Sequence, residues 1–190
     1  MFRSIIAMLD FAASVTASAT TISEVSYLAA QTVLSEGNQA AGFNFHQGDK
    51  ASYSLNISSF INGTMDISVK SVATDEVVLQ QDVNAMGQAQ SCTETINPNT
   101  GAVKSMVCNG QNQDAGNAGD YEVVESKEQS VTVPAGTFDT LYIKAHNKKD
   151  NNDVEQWINP KLIPVLGMAK MSAPTQMGQM VVELTSFKKN

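Results

Sequence analysis

The chain has 190 residues, 42% of them hydrophobic, and carries a net charge of −7. That length suits one domain of ordinary size with a real core, and the acidic balance argues against nucleic acid and anionic lipid surfaces as partners, which basic faces meet. Charged residues make up only 16%, against about 25% in typical domains; Asn, Gln, Ser and Thr take their place, as suits a solvated β surface outside the cytoplasm.

The first nineteen residues have the three parts of a secretory signal. Arg3 gives a short positive start, Ser4 to Val15 form a mostly apolar stretch interrupted by Asp10, and Ala17-Ser18-Ala19 matches the small-residue cleavage pattern. The apolar run is too short for a bilayer, which takes about 20 residues. The expectation is cleavage after Ala19, leaving residues 20–190 as one soluble, β-rich domain in the periplasm or outside the cell. An amphipathic N-terminal helix that stays on the protein is the alternative. No cysteine follows the apolar run, so the mature N-terminus offers no lipid-anchor site.

Thr21-Ile22-Ser23-Glu24 then fits a capping box. Ile22, Val25, Leu28, Ala29, Thr32 and Val33 share one face at helical spacing, which predicts a helix over Ile22 to Glu36 ending near Gly37. From Phe43 the period becomes two. Tyr53, Leu55 and Ile57 alternate with polar neighbours, Asn62-Gly63 marks a hairpin turn, and Met65, Ile67 and Val69 alternate on the return. Further strands are expected at Glu76–Val83, Gln88–Thr95, Ala102–Cys108, Tyr121–Glu125, Gln129–Val133, Phe138–His146, Val154–Ile158, Val165–Met171 and Gln179–Phe187. Asn109 to Asp120 reads as a polar, glycine-rich loop, and Asn147 to Asp153 as a solvated hairpin tip. One apolar face per strand predicts a mainly β domain: a highly curved antiparallel sheet, open or half-barrel, covered by the N-terminal helix.

Cys92 and Cys108 flank a hairpin whose tip holds Asn97 to Gly101. If they face each other, the loop has an odd length: Asn99 to Gly101, or Pro98 to Ala102. Gly101 in the left-handed region favours the first. A disulfide here contributes about 3 kcal/mol in the chain-entropy model. Free thiols are the rival; a metal pair is disfavoured, since C-x-x-C spacing is missing.

Val133-Pro134-Ala135-Gly136-Thr137-Phe138-Asp139-Thr140-Leu141, and Trp157-Ile158-Asn159-Pro160 followed by Ile163-Pro164-Val165, lead to a last strand ending in Glu183-Leu184. Over roughly residues 129–187 this resembles a family of uncharacterised Gram-negative periplasmic β-proteins, and more distantly the half-barrel carriers that shuttle lipoproteins across the periplasm. The resemblance implies an open barrel with a helix in its concavity and no catalytic residues. On the residues alone, Val133 to Gly136 fits a turn with Pro second and Gly fourth. Trp157, read as alternating with Glu155, is expected in the core, with the mouth of a ligand cavity as the functional alternative.

Catalytic patterns are sparse: two histidines, His46 and His146, with no H-E-x-x-H, G-x-S-x-G or P-loop. His46 to Asp49 reads as a solvated turn. The chain is not expected to be an enzyme or to need a cofactor, and the Asp/Asn-rich loops lack calcium-loop spacing. Met168, Met171, Met177 and Met180 form the sharpest cluster. Ordinary packing, an apolar ligand surface and Cu(I) binding are its three readings. Taken together, the sequence points to an exported, monomeric, non-catalytic carrier for a lipid or acyl chain, with Trp157 and the four methionines as candidate contacts. A structural or interaction protein of the cell envelope is the alternative, and Cu(I) handling the second. No mature stretch could cross a membrane as a helix.

Overall fold

Among the described residues, alternating apolar and polar side chains fold into eleven strands: β1 (Lys50–Ile57), β2 (Ile61–Ala73), β3 (Glu76–Ala85), β4 (Gln88–Ile96), β5 (Val103–Cys108), β6 (Gln111–Gln113), β7 (Tyr121–Val133), β8 (Gly136–Asn147), β9 (Asn152–Ile158), β10 (Met168–Thr175) and β11 (Gly178–Lys188). The computed structural model describes residues 43–58, 61–99, 102–113 and 121–190. The expected signal segment and the helix over Ile22 to Glu36 lie outside those residues. All strands pair antiparallel in one sheet of order β6-β5-β4-β3-β2-β1-β11-β10-β9-β8-β7. Two meanders therefore meet where β1 bonds β11, and the sheet stays open between β6 and β7.

Opposed residues share a face. One row runs from Ile143 through Gln156, Met171, Val182, Leu55 and Gly63 to Ala85. Except for Gly63, all of these are buried. In a flat sheet β7 would lie about 19 Å from β11, four strand spacings away. Instead the β7–β8 turn touches β11: the Ala135 N–H donates to the Leu184 carbonyl at 3.0 Å, and the Phe138 and Phe187 rings sit 6.3 Å apart. The sheet is rolled, with Val131, Ala135 and Phe138 packed against its apolar core. The turn itself has Pro134 and Ala135 between the paired Val133 and Gly136, as the sequence implies.

Several local expectations change. Asn62-Gly63 is not the first turn: Asn56 faces Asn62, Leu55 faces Gly63 and Ile57 already faces Ile61, so Asn62 and Gly63 lie within the paired strand β2. Parity gives the reason. A two-residue turn at Asn62-Gly63 would pair odd with even positions and put Met65, Ile67 and Val69 on the face opposite Tyr53, Leu55 and Ile57. Gly63 instead serves close approach, since a Cβ there would meet the Asn84 carbonyl oxygen at 2.6 Å. The two segments expected at Tyr121–Glu125 and Gln129–Val133 are one strand, β7, with Val124 bulged between Val123 and Glu125. β6 lies within the stretch expected to be wholly loop; Gln111 to Gln113 pair back on β5.

β10 begins at Met168, not Val165. Val165 and Gly167 both have φ 67, a conformation a β-branched residue adopts only under constraint. Asn159 supplies the constraint: its N–H donates to the Gly167 carbonyl at 2.7 Å, its Oδ1 accepts from the Leu162 N–H at 3.0 Å, and its Nδ2 donates to the Asp139 carbonyl at 2.7 Å.

Cys92 and Cys108 are bonded and directly opposed on β4 and β5. The loop beyond them is not odd, however. Lys104 is an extra residue between the pairs Thr95–Ser105 and Ile96–Val103, and the Asn97 N–H donates to the Ala102 carbonyl, leaving four residues between that pair. The bulge absorbs the residue that parity alone assigned to the loop. Replacing both cysteines by alanine should lower unfolding free energy by about 3 kcal/mol, read as a lower urea midpoint at unchanged far-ultraviolet dichroism. An unchanged midpoint would contradict this account of the hairpin.

Candidate functional site

The buried face collects most of the residues nominated from sequence. Met168 and Met171 on β10 and Met180 on β11 are nearly inaccessible and belong to one core cluster, and Met177 packs against its edge. Met171 faces Val182 while Ala173 faces Met180, so the two methionines are diagonal neighbours across β10 and β11. The bulge at Ala169 places Met168 opposite Ile158 on this same face.

Trp157 does not join them. Residues two apart on a strand share a face, so Trp157 goes with Glu155, while Gln156 and Ile158 point into the core. The expectation of a core tryptophan thus fails on strand parity: the indole lies half-buried on the outer face. There it packs against Tyr142, with ring centroids 5.0 Å apart. Lys170 lies 5.8 Å from the Trp157 ring and Lys127 lies 4.9 Å from the Tyr142 ring, so each aromatic meets a cation. The Tyr142 hydroxyl donates to Glu155 at 2.9 Å, and Lys170 pairs with Glu183 at 2.8 Å. Burial first, and then the Glu155 carboxylate, raise the Tyr142 phenol well above its ordinary range.

The same outer face carries His146. Its Nδ1 lies 2.8 Å from Asp153, which also takes Lys144 at 2.8 Å. This is an exposed ion cluster on a hairpin, and its geometry needs nothing more than that. His46 and Asp49 form the turn before β1, as expected, but Asp49 is buried. It accepts from the His46 backbone N–H at 3.1 Å and from the Asn190 backbone N–H at 2.9 Å.

The alternation of apolar residues concealed a set of polar side chains on the inner face. Gln81, Gln90, Glu94 and Gln156 are all buried, and three of them turn toward sulfur. Gln81 Nε2 donates to Met65 Sδ at 3.0 Å, Gln156 Nε2 to Met171 Sδ at 3.5 Å, and Gln90 Nε2 lies 3.6 Å from Cys92 Sγ. Tyr53 is buried beside Met65, and burial alone holds its phenol protonated far above the ordinary range. One sequence signal could have found part of this set: Gln90, Cys92 and Glu94 are two apart, so a buried Cys92 takes both polar neighbours inside with it. Among the described residues, no group of three His, Cys, Asp or Glu side chains is placed to hold a metal ion.

Asp153 makes the outer-face electrostatics testable. The hydrogen bond from Lys144, then that from His146, holds its carboxyl below the usual range. A carboxyl so depressed favours the fold above its ordinary pKa, and that contribution is lost as pH falls through the folded value. Lys144→Met should therefore raise the Asp153 titration midpoint, followed by carboxyl carbon NMR; an unmoved midpoint would show that Lys144 is not its main partner.

No protein-family model matches the chain, and no curated protein matches it. Solved structures do. The hypothetical protein CT021 from Chlamydia trachomatis has a TM-score of 0.50 at 11% identity, covering 77% of this chain and 89% of its own. A protein with YmcC-like fold from Bacteroides fragilis, named for inferred export, has a TM-score of 0.46 at 15% identity, over 79% of this chain and 100% of its own. MucB has a TM-score of 0.40 at 9% identity, over 78% of this chain and 55% of its own. At these identities the likeness to CT021 is one of fold.

Proposed function

We propose that this chain is an exported, non-catalytic carrier that holds an apolar ligand, a lipid or acyl chain, against the inner face of its rolled sheet. What supports the reading above all is the continuity of that face. It is apolar along the row from Ile143 to Ala85 except at Gln156, and the described strands form a single sheet. A sheet must bury its apolar face against something. The segment over Ile22 to Glu36 has the one-sided pattern to supply a cover, and a ligand would compete with it for the same surface. Methionine suits such a surface because its unbranched, polarizable side chain adapts to irregular apolar shapes. The signal-like start, with cleavage after Ala19, and the disulfide fit an oxidising compartment.

A second reading, an interaction protein of the cell envelope, is favoured by one observation. β7 is a thirteen-residue strand at the sheet edge, mostly exposed, with Val124 at 55% accessibility. Long edges can pair with another chain, although the Val124 bulge and the charges of Glu122, Glu125, Lys127 and Glu128 blunt this one. A Cu(I) site at Met168, Met171, Met177 and Met180 is the weakest reading, because the Met171 sulfur would have to give up its Gln156 hydrogen bond.

Native mass spectrometry of protein exported through its own N-terminus tests the proposal. A mature mass beginning at Thr20 with adducts in the lipid range is the expected result. A ligand-free mass that takes up no acyl compound on addition would overturn the carrier reading and leave the envelope interaction.

A further inference from the structure

β8 is longer than its neighbour on one side. Its pairing with β9 begins only at Leu141, opposite Ile158, whereas its pairing with β7 continues from Gln129–Thr140 to Val133–Gly136 at the turn. Among the described residues, Gln129 to Thr140 therefore form a two-stranded ribbon that projects past the end of β9. A two-stranded hairpin on its own is marginally stable in water. This one is supported from across the roll. Val133 is buried, and Val131, Ala135 and Phe138 pack on the apolar core. The Ala135 N–H donates to the Leu184 carbonyl at 3.0 Å, and the Phe138 ring lies 6.3 Å from that of Phe187. Leu184 and Phe187 oppose Tyr53 and Ala51, so both stand on the inner face. The pairing of β10 with β11 ends at Glu183, which leaves the Leu184 carbonyl to the ribbon. At its root the ribbon is tied separately, by Asn159 Nδ2 donating to the Asp139 carbonyl at 2.7 Å. Phe187 keeps 40% of its surface accessible, so water reaches the join at the tip, while the root is fixed.

We infer that Gln129 to Thr140 form a hinged strap over one end of the inner face, held shut at Ala135–Leu184 and Phe138–Phe187, and that its release opens the path by which an apolar ligand enters. The path rests on the carrier reading; the hinge does not. Release breaks the backbone hydrogen bond and the ring pair and unseats Val131, Val133 and Ala135. The Ser130–Asp139 and Thr132–Thr137 hydrogen bonds survive it, because they lie within the moving body. Units that open separately in this way belong to the less stable parts of a fold, where binding loops and lids are found.

Two readouts on the protein exported through its own N-terminus test it. Amide hydrogen exchange needs no ligand. The paired amides of Gln129 to Thr140 should exchange together, about 100-fold faster than those of β1 and β11. Exchange at the rate of those strands overturns the strap, since the ribbon then comes free only when the whole sheet unfolds. Stopped-flow binding of N-phenyl-1-naphthylamine, a neutral fluorescent apolar probe, reads the path. Phe187→Ala removes a ring already partly in water, and Phe138→Ala removes its partner on the ribbon. Each should raise the association and dissociation rates together by about five-fold, the effect of one aromatic pair, with affinity nearly unchanged. Faster dissociation alone means that the rings touch the probe rather than hold the strap, and it overturns the inference, as do rates that stay still. No probe binding in a protein whose ribbon exchanges separately overturns the carrier reading and the path with it, and leaves the hinge.

Discussion

β1 bonds β2 on one side and β11 on the other, and the second pairing joins segments 129 residues apart, as between Ser54 and Glu183. Neither meander can bury its apolar face alone; joined at this seam they form a single row of side chains long enough to roll. The pairing is expensive in loop closure, and it is specified by parity. Tyr53, Leu55 and Ile57 must face Leu184, Val182 and Met180, because a slip of one residue would turn one whole set to water. Bulges are how the chain keeps this rule where its turns do not supply the right length. Thr185 is extra opposite Ser52 and Tyr53, Ala169 opposite the end of β9, and Lys104 opposite β4.

This explains which parts of the fold the sequence disclosed. Strand identity and the Cys92–Cys108 pairing were legible because side-chain period and opposed positions are written in residue order. Turn positions were not, because Asn62-Gly63 is a strong local hairpin signal that loses to the face requirement of the strands around it. The start of β10 was misplaced for a related reason: Ile163, Pro164 and Val165 have strand composition, but the hydrogen bonds of Asn159 hold them in a buried turn. β7 was split because its charged middle looks like loop, whereas an edge strand can keep charge on both faces.

The candidate site was legible only in part. The methionines of β10 and β11 came together on the inner face as their spacing allowed. Trp157 went to the outer face because residues two apart stay on one side, and Glu155 had to be solvated. It anchors there a ladder of two packed aromatic rings flanked by charged groups, from Lys127 through Tyr142 and Trp157 to Lys170 and Glu183. Gln81, Gln90 and Gln156 escaped notice since glutamine reads as surface. Their amides turn to Met65, Cys92 and Met171, an arrangement that only pairing across strands reveals. The inner face is thus mostly hydrocarbon and sulfur with a few buried polar side chains, while the ion pairs lie on the outer face.

The central claim is that ligand meets the inner face. Methyl-carbon NMR of methionine-labelled protein, titrated with a neutral dodecyl amphiphile, tests it most directly because methionines report from both kinds of place. Met65, Met171 and Met180 line the inner face, while Met86 sits at the β3–β4 turn with 64% accessibility. The account predicts that the inner methyl signals shift together and saturate while the Met86 signal stays still. Shifts confined to Met86, or no saturable shift in the inner set, would contradict it.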